Sequence, residues 1–196
     1  MITATANVIT NDDIDSISVS GPEKWEAYNI DLLFDGIDYR YSNTRFAAYQ
    51  NGGERLSQGN PFVLSVALIN NSNISSLSFF NDWRHQLSQQ VTSMDVVFYS
   101  RDNNLLWSDS FSGLKKNSWD EVDIISFDTP IFDVANIDFK ITGAQSDHFE
   151  IRELLVGADT KLQQSYVSAP NVVVFFLIAI SALVFRHYLQ KRTYNT

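Results

Sequence analysis

From residue 20 to residue 160 the chain carries short alternating or β-branched segments separated by turn residues, with no long stretch of helical period among them. Asn60-Pro61 opens the run 62–69, Asn70-Asn71-Ser72-Asn73 closes it, and the run 74–80 follows. Residues 94–100 and 105–108 flank Arg101-Asp102-Asn103-Asn104. An Asp/Asn turn between two such segments is a hairpin signal. Residues 120–127 and 137–141 alternate with period two, and residues 149–156 make the last strand. Strands that follow one another without helices between them pair antiparallel. The predicted class is therefore all-β, an antiparallel β-sandwich or jelly roll over residues 7–160.

The 196 residues leave room for one such domain plus attachments. An apolar fraction of 44% with 13% aromatics supplies a core and excludes a disordered chain. Trp25, Trp107 and Trp119 are candidate core residues, since a ring of that size gains most from burial. Cysteine is absent, which removes disulfides, thiolate zinc sites and thiol nucleophiles.

Charge separates the body from the C-terminus. Residues 1–168 hold 11 Lys and Arg against 23 Asp and Glu, a net of −12, and no acidic residue follows Asp159. An acidic body repels a phosphate backbone, so nucleic acid is not an expected partner. Residues 172–185, VVVFFLIAISALVF, carry no charge, while Arg186, Lys191 and Arg192 give the end of the chain a net of +3. Fourteen helical residues reach about 21 Å, short of a ~30 Å hydrocarbon core. The expected helix is 172–189, and residues 170–189 cover the core if Asn171 sits at one interface and Arg186, His187 and Tyr188 snorkel to the other. The alternative, a buried core helix, lacks a polar face to support it. One C-terminal transmembrane helix is predicted. Residues 190–196 form a basic cytoplasmic tail, the body lies in the periplasm or outside the cell, and residues 161–171 are a polar linker.

Val167-Ser168-Ala169-Pro170, the apolar run and the terminal Arg186, Lys191 and Arg192 together resemble the PEP-CTERM sorting signal of Gram-negative bacteria. Ala169 stands where that signal usually has Glu, and Ser168 replaces its first Pro. The resemblance implies membrane insertion, processing near the Pro by an exosortase-type enzyme and delivery to the cell surface; a permanent single-pass anchor is the alternative. Such export requires a leader. Ala4-Thr5-Ala6 has the A-x-A form of a peptidase site, with neither a basic nor an apolar region before it. Residues 1–6 are therefore expected to be the remnant of a truncated signal peptide, unless the tripeptide is there by chance.

Leu32-Leu33-Phe34-Asp35-Gly36, Asn43-Thr44-Arg45-Phe46, the hairpin from Tyr99-Ser100 to Trp107, and Ile151-Arg152-Glu153-Leu154 closed by Gly157 occur in that order. They resemble the discoidin, or coagulation-factor type C, domains of the galactose-binding-like superfamily, over about 130 residues. The stretch from Gly36 to Thr44 is longer here than in that family. The resemblance implies a structural Ca²⁺ in the opening loop. Calcium takes six to eight hard oxygens. Asp35, Asp38, Ser42 and Thr44 offer them, and Glu153 matches the last-strand Glu; a solvated acidic loop is the alternative.

Ligands of such domains bind at loops on one end of the sandwich. Sugars need an aromatic face for their CH patch and planar hydrogen-bonding groups for their hydroxyls. Asn81, Trp83, Arg84 and His85 provide this combination in one loop, and Tyr41 and Arg45, with Tyr39, are possible neighbours from the opening loop. The alternative has Trp83 capping the core and Arg84 in a surface pair. No G-x-S-x-G, H-E-x-x-H or phosphate loop is present, and His85 and His148 lack metal-pair spacing. No enzyme is predicted. Two readings remain: a cell-surface module binding carbohydrate or exopolysaccharide, and a structural or adhesive matrix protein that binds no small sugar.

Overall fold

A computed structural model describes residues 7–22, 25–37, 46–50, 55–81, 89–118 and 121–159. The chain divides after residue 160, and residues 161–196 lie outside the described set. Among the described residues there are nine strands: β1 (Asn7–Val8), β2 (Ile14–Ser20), β3 (Trp25–Tyr28), β4 (Phe46–Gln50), β5 (Phe62–Asn81), β6 (Val91–Tyr99), β7 (Leu105–Ser112), β8 (Asp123–Ala144) and β9 (His148–Asp159). Every pairing is antiparallel.

Two long strands, β5 and β8, serve both layers of the sandwich. The first half of β5 pairs with β2 and with residues 136–141 of β8; β6 lies beyond β8, and β7 closes that layer. The second half of β5 pairs with β9 and with residues 123–131 of β8; β9 carries β4, and β4 carries β3. Between the halves the register slips three times, at Ala67/Ser72, Ser72/Ile74 and Ile74/Ser76. Such bulges bend and twist a strand, and here they turn it from one layer into the other.

Alternation then decides what lies inside. Leu64, Val66, Leu68, Val96, Phe98, Ile137, Phe139 and Ile141 of the first layer share one buried cluster with Phe46, Ala48, Leu77, Phe79, Phe149, Ile151, Leu154 and Val156 of the second. Phe62 and Phe149 meet edge to face across the layers, with ring centroids 5.5 Å apart. Trp107 is half-buried against Phe98 and Phe127, as its expected core role requires. The side chain of Trp25 and all of Trp119 lie outside the described residues.

The hairpin forms where its turn residues place it. Ser100 N donates to Asn104 O at 2.9 Å, and Asn103 occupies the left-handed region at φ 59°. The runs 62–69 and 74–80 are one strand rather than two, and so are 120–127 and 137–141. Asn70–Asn73 crosses between layers instead of turning back, and one side chain from the hairpin turn braces the start of the crossing. Arg101 Nη2 donates to the carbonyls of Leu68 and Ile69, both at 3.1 Å, and its Nε donates to Asn71 Oδ1 at 3.1 Å. Among the described residues no helix is long and apolar enough to cross a membrane. The segment expected to do so, 172–189, lies outside them, as do residues 1–6 and the linker 161–171.

Candidate functional site

The last strand breaks its own alternation. Phe149 and Ile151 are buried two residues apart, but the next inward side chains are Leu154 and Val156, after a step of three. The register slips at the same place: Phe80 pairs with Glu153 and Asn81 with Ile151. This bulge removes Arg152 and Glu153 from ordinary strand positions and makes each a bracket. Both are 1% exposed. Burying an ion costs several kcal/mol unless partners compensate it, so both brackets are strongly held.

Arg152 fastens the base of one loop. Its Nε donates to Asn81 O at 2.9 Å, and the guanidinium lies 5.6 Å over the Phe80 ring. Asn81 ties the end of β5 to Val91 and Leu114. Its Nδ2 donates to the carbonyls of Val91 and Leu114 at 2.8 and 2.9 Å, and its Oδ1 accepts from Val91 N at 3.1 Å. The side-chain amide thus imitates a strand neighbour for Val91. Asn81 was placed by sequence among the ligand-binding groups; the structure corrects this, because it is fully buried and both amide protons are committed. Gln90 repeats the device, exchanging two hydrogen bonds with the backbone of Lys116.

Glu153 fastens the opening loop. Its Oε1 accepts from Gly36 N at 3.1 Å. Gly36 has φ +77°, a conformation that suits glycine and that aims its N–H at the carboxylate. Asp35 Oδ1 accepts from Ile37 N at 2.9 Å, an Asx-type turn that tightens the same corner. Beneath it, Phe34 is buried against Phe139, with centroids 6.2 Å apart. Asn11 holds the flank: its N–H donates to Phe34 O at 3.0 Å and its Nδ2 to Asp31 O at 2.8 Å. Further along β9, Gln89 Nε2 lies 3.0 Å from His148 Nδ1, and Glu150 Oε1 lies 3.1 Å from His148 Nε2.

Of the residues expected in the metal site, Glu153 reaches the Asp35-Gly36 turn through Gly36 N, and Asn81, expected in the ligand site, is held by the neighbouring Arg152. Trp83, Arg84, His85, Tyr41 and Arg45, and Asp38, Ser42 and Thr44, lie outside the described residues. So do Val167, Ser168, Ala169, Pro170, Arg186, Lys191 and Arg192. Among the described residues no group of three or more His, Asp or Glu is placed to hold a metal ion. Arg152 was missed as a structural centre, although the two-three-two spacing of Phe149, Ile151, Leu154 and Val156 signals the bulge in the sequence.

No protein-family model and no curated protein matches the chain. Solved structures do match in fold. A family 32 CBM from Clostridium perfringens NanJ, solved with galactose, superposes with a TM-score of 0.55 at 19% identity, covering 78% of this chain and 98% of that one. A Streptococcus pneumoniae fucose-binding module gives 0.53 at 15% identity, over 80% and 99%. An F5/8 type C domain from Bacteroides fragilis gives 0.52 at 11%, over 77% and 95%. The chain shares the β-sandwich fold of these domains.

Replacing the Asn81 side chain tests its structural role. Asn81→Ala leaves two buried carbonyls and a buried N–H unmet, at about 1–3 kcal/mol for each group that finds no water. We expect urea unfolding to show a loss of about 2–5 kcal/mol. A loss under about 0.5 kcal/mol, the ordinary scale for a surface change, contradicts the bracket.

Proposed function

We propose that the chain is an exported cell-surface protein whose sandwich is a non-catalytic carbohydrate-binding module, held to the membrane by residues 172–189 and carrying a PEP-CTERM-like sorting tail. The fastening of both loop bases to adjacent residues of β9 carries the reading. Residues 82–88 leave from Asn81, and residues 38–45 follow the Gly36 corner. Loops that must hold a ligand are best built on rigid elements, and these two stand on a single bulge. Trp83 would cover the apolar face of a sugar ring, and Arg84, His85, Tyr41 and Arg45 would reach its hydroxyls. The fold likeness to a module solved with galactose and to a fucose-binding module supports the same class of ligand.

We also propose a structural Ca²⁺ at the opening corner. Glu153 brings a buried carboxylate to the Asp35-Gly36 turn from the far end of the chain. With Asp38, Ser42 and Thr44 it would complete an oxygen set. The ion would lock the corner and take no part in any reaction.

A second reading rests on the edge of the first layer. Among the described residues β7 pairs only with β6, and Leu105 and Leu106 at its start are exposed. An apolar edge suits a structural or adhesive matrix protein that works by contact with other chains.

Three measurements decide among these. On a glycan array, the full chain in a non-glycosidic detergent should bind neutral sugars, and Trp83→Ala should weaken binding about tenfold or more; binding to no glycan leaves the matrix reading. A chelator should lower the melting temperature by about 5–10 °C if calcium stabilises the fold by about 2.7 kcal/mol; an unchanged melting curve removes the ion. In cell fractions the full chain should follow the envelope, and a chain lacking residues 172–189 should not; equal solubility of the two sinks the anchor.

A further inference from the structure

The outer face of the first layer carries a second, separate feature. Registers across five strands align its outward side chains in rows. Ser18 lies opposite Ser65, Ser65 opposite Asp138, Asp138 opposite Val97, and Val97 opposite Ser108. The next row runs Ser16, Ala67, Asn136 and Tyr99. All three outward positions of β2 that face this side, Ser16, Ser18 and Ser20, are serine. Serine is not a strand-favouring residue, whereas Thr, Val or Tyr would hold an exposed strand better. The short side chains leave space instead. An open cleft of about 360 Å³ lies here, bounded by Ser16, Ser18 and Ser65 on one side and by Tyr99, Asn103 and Asn136 on the other. Its volume falls at the small end of the range for ligand sites, about 300–1,000 Å³.

Three of the polar side chains in the cleft, Ser65, Asp138 and Asn136, are oriented by hydrogen bonds. Ser65 Oγ donates to Asp138 Oδ1 at 2.7 Å, and Lys140 Nζ lies 4.0 Å from Asp138 Oδ2. Asn136 Nδ2 donates to Ser100 O at 3.3 Å, which fixes the plane of that amide. Asn103 is held by the hairpin turn, and the half-buried Tyr99 ring stands at the end of the row. A carboxylate, two amides, three hydroxyls and one aromatic ring make a surface for a polyhydroxylated ligand. They do not suit an apolar one, since Tyr99 is the only aromatic ring in the lining. A peptide strand is also disfavoured, because a sheet face offers side chains and no unpaired backbone ladder. Charge makes the last distinction. Asp138 in the cleft and a body of −12 repel uronates and sulfated chains.

The geometry points to a glycan-binding cleft for a neutral sugar chain on this sheet face, sharing no residue with the site at the β9 bulge. It has only the class of ligand in common with the reading above and does not need the loops 38–45 and 82–88.

Isothermal titration calorimetry of the full chain in a non-glycosidic detergent tests it. The probes are neutral cello-, laminari- and galacto-oligosaccharides, with oligogalacturonate as the anionic counterpart. At least one neutral series should bind, and oligogalacturonate should not. In a Trp83→Ala background, where the loop-end site is already weakened, that binding should persist, and adding Tyr99→Ala or Ser18→Trp should weaken it about tenfold or more. Ser18 is exposed, so its replacement blocks the cleft without disturbing the core; melting curves confirm that both variants fold. Binding that is lost in Trp83→Ala overturns the cleft and leaves the loop-end site standing, and binding that persists undiminished when Tyr99→Ala or Ser18→Trp is added overturns the cleft as well. Binding to none of the neutral series overturns it too, as does a preference for oligogalacturonate.

Discussion

One extra residue in the last strand organises the loop end of this protein. A regular β9 would alternate strictly, so that Ile151 and Leu154 would face opposite sides. The slip between Phe80 and Asn81 allows both to reach the core. The same slip turns the two residues between them, an arginine and a glutamate, towards the bases of two loops. Their charges are buried, and burying a charge stabilises nothing by itself. It does make every alternative arrangement costly, because a loop that lets go leaves an ion without its partner. A pair of buried charges thus gives the loop bases a definite geometry more than it adds stability, and a binding site needs that definiteness.

The crossing of β5 and β8 from one layer to the other has a different consequence. Strands that belong to both layers cannot slide in one without moving in the other. Arg101 reinforces this from the hairpin turn by holding the carbonyls of Leu68 and Ile69 at the crossing. The first layer, whose outer face carries the serine rows, is therefore tied to the layer that carries the brackets. Both candidate surfaces stand on one core, with the Phe62–Phe149 contact between them.

Local chemistry was legible in the sequence wherever it settles structure by itself. The hairpin follows from its Asp/Asn turn, and the last strand from its β-branched run. What escaped depends on distant partners. Asn70–Asn73 has the composition of a turn, and its crossing shows only in its pairing with β8 and β9 and in the brace from Arg101, thirty residues away. The strand β2 was hidden for a related reason: its serines have weak strand preference, and a register slip between Ile14 and Ser16 spoils its period. Asn81 has the residue type of a ligand contact, and only the positions of Val91 and Leu114 show that its amide is used inside.

The edge of the first layer bears on the choice between a binding module and a matrix component. An exposed edge strand invites pairing with another chain through its outward backbone groups. In β7 one such opportunity is blocked from within, since Asp109 Oδ1 accepts the Ser110 N–H at 2.8 Å. A carboxylate at mid-edge also repels a second copy of the same strand. The exposed Leu105 and Leu106 sit at the start of the strand beside the hairpin turn, where few ladder bonds could form. Contact through β7 would then rest on two leucines and little backbone. The cleft on the adjoining face offers hydroxyls and amides from β2, β5, β8 and the hairpin turn. The surface chemistry of this layer therefore favours a soluble polyhydroxylated ligand over self-assembly through its edge.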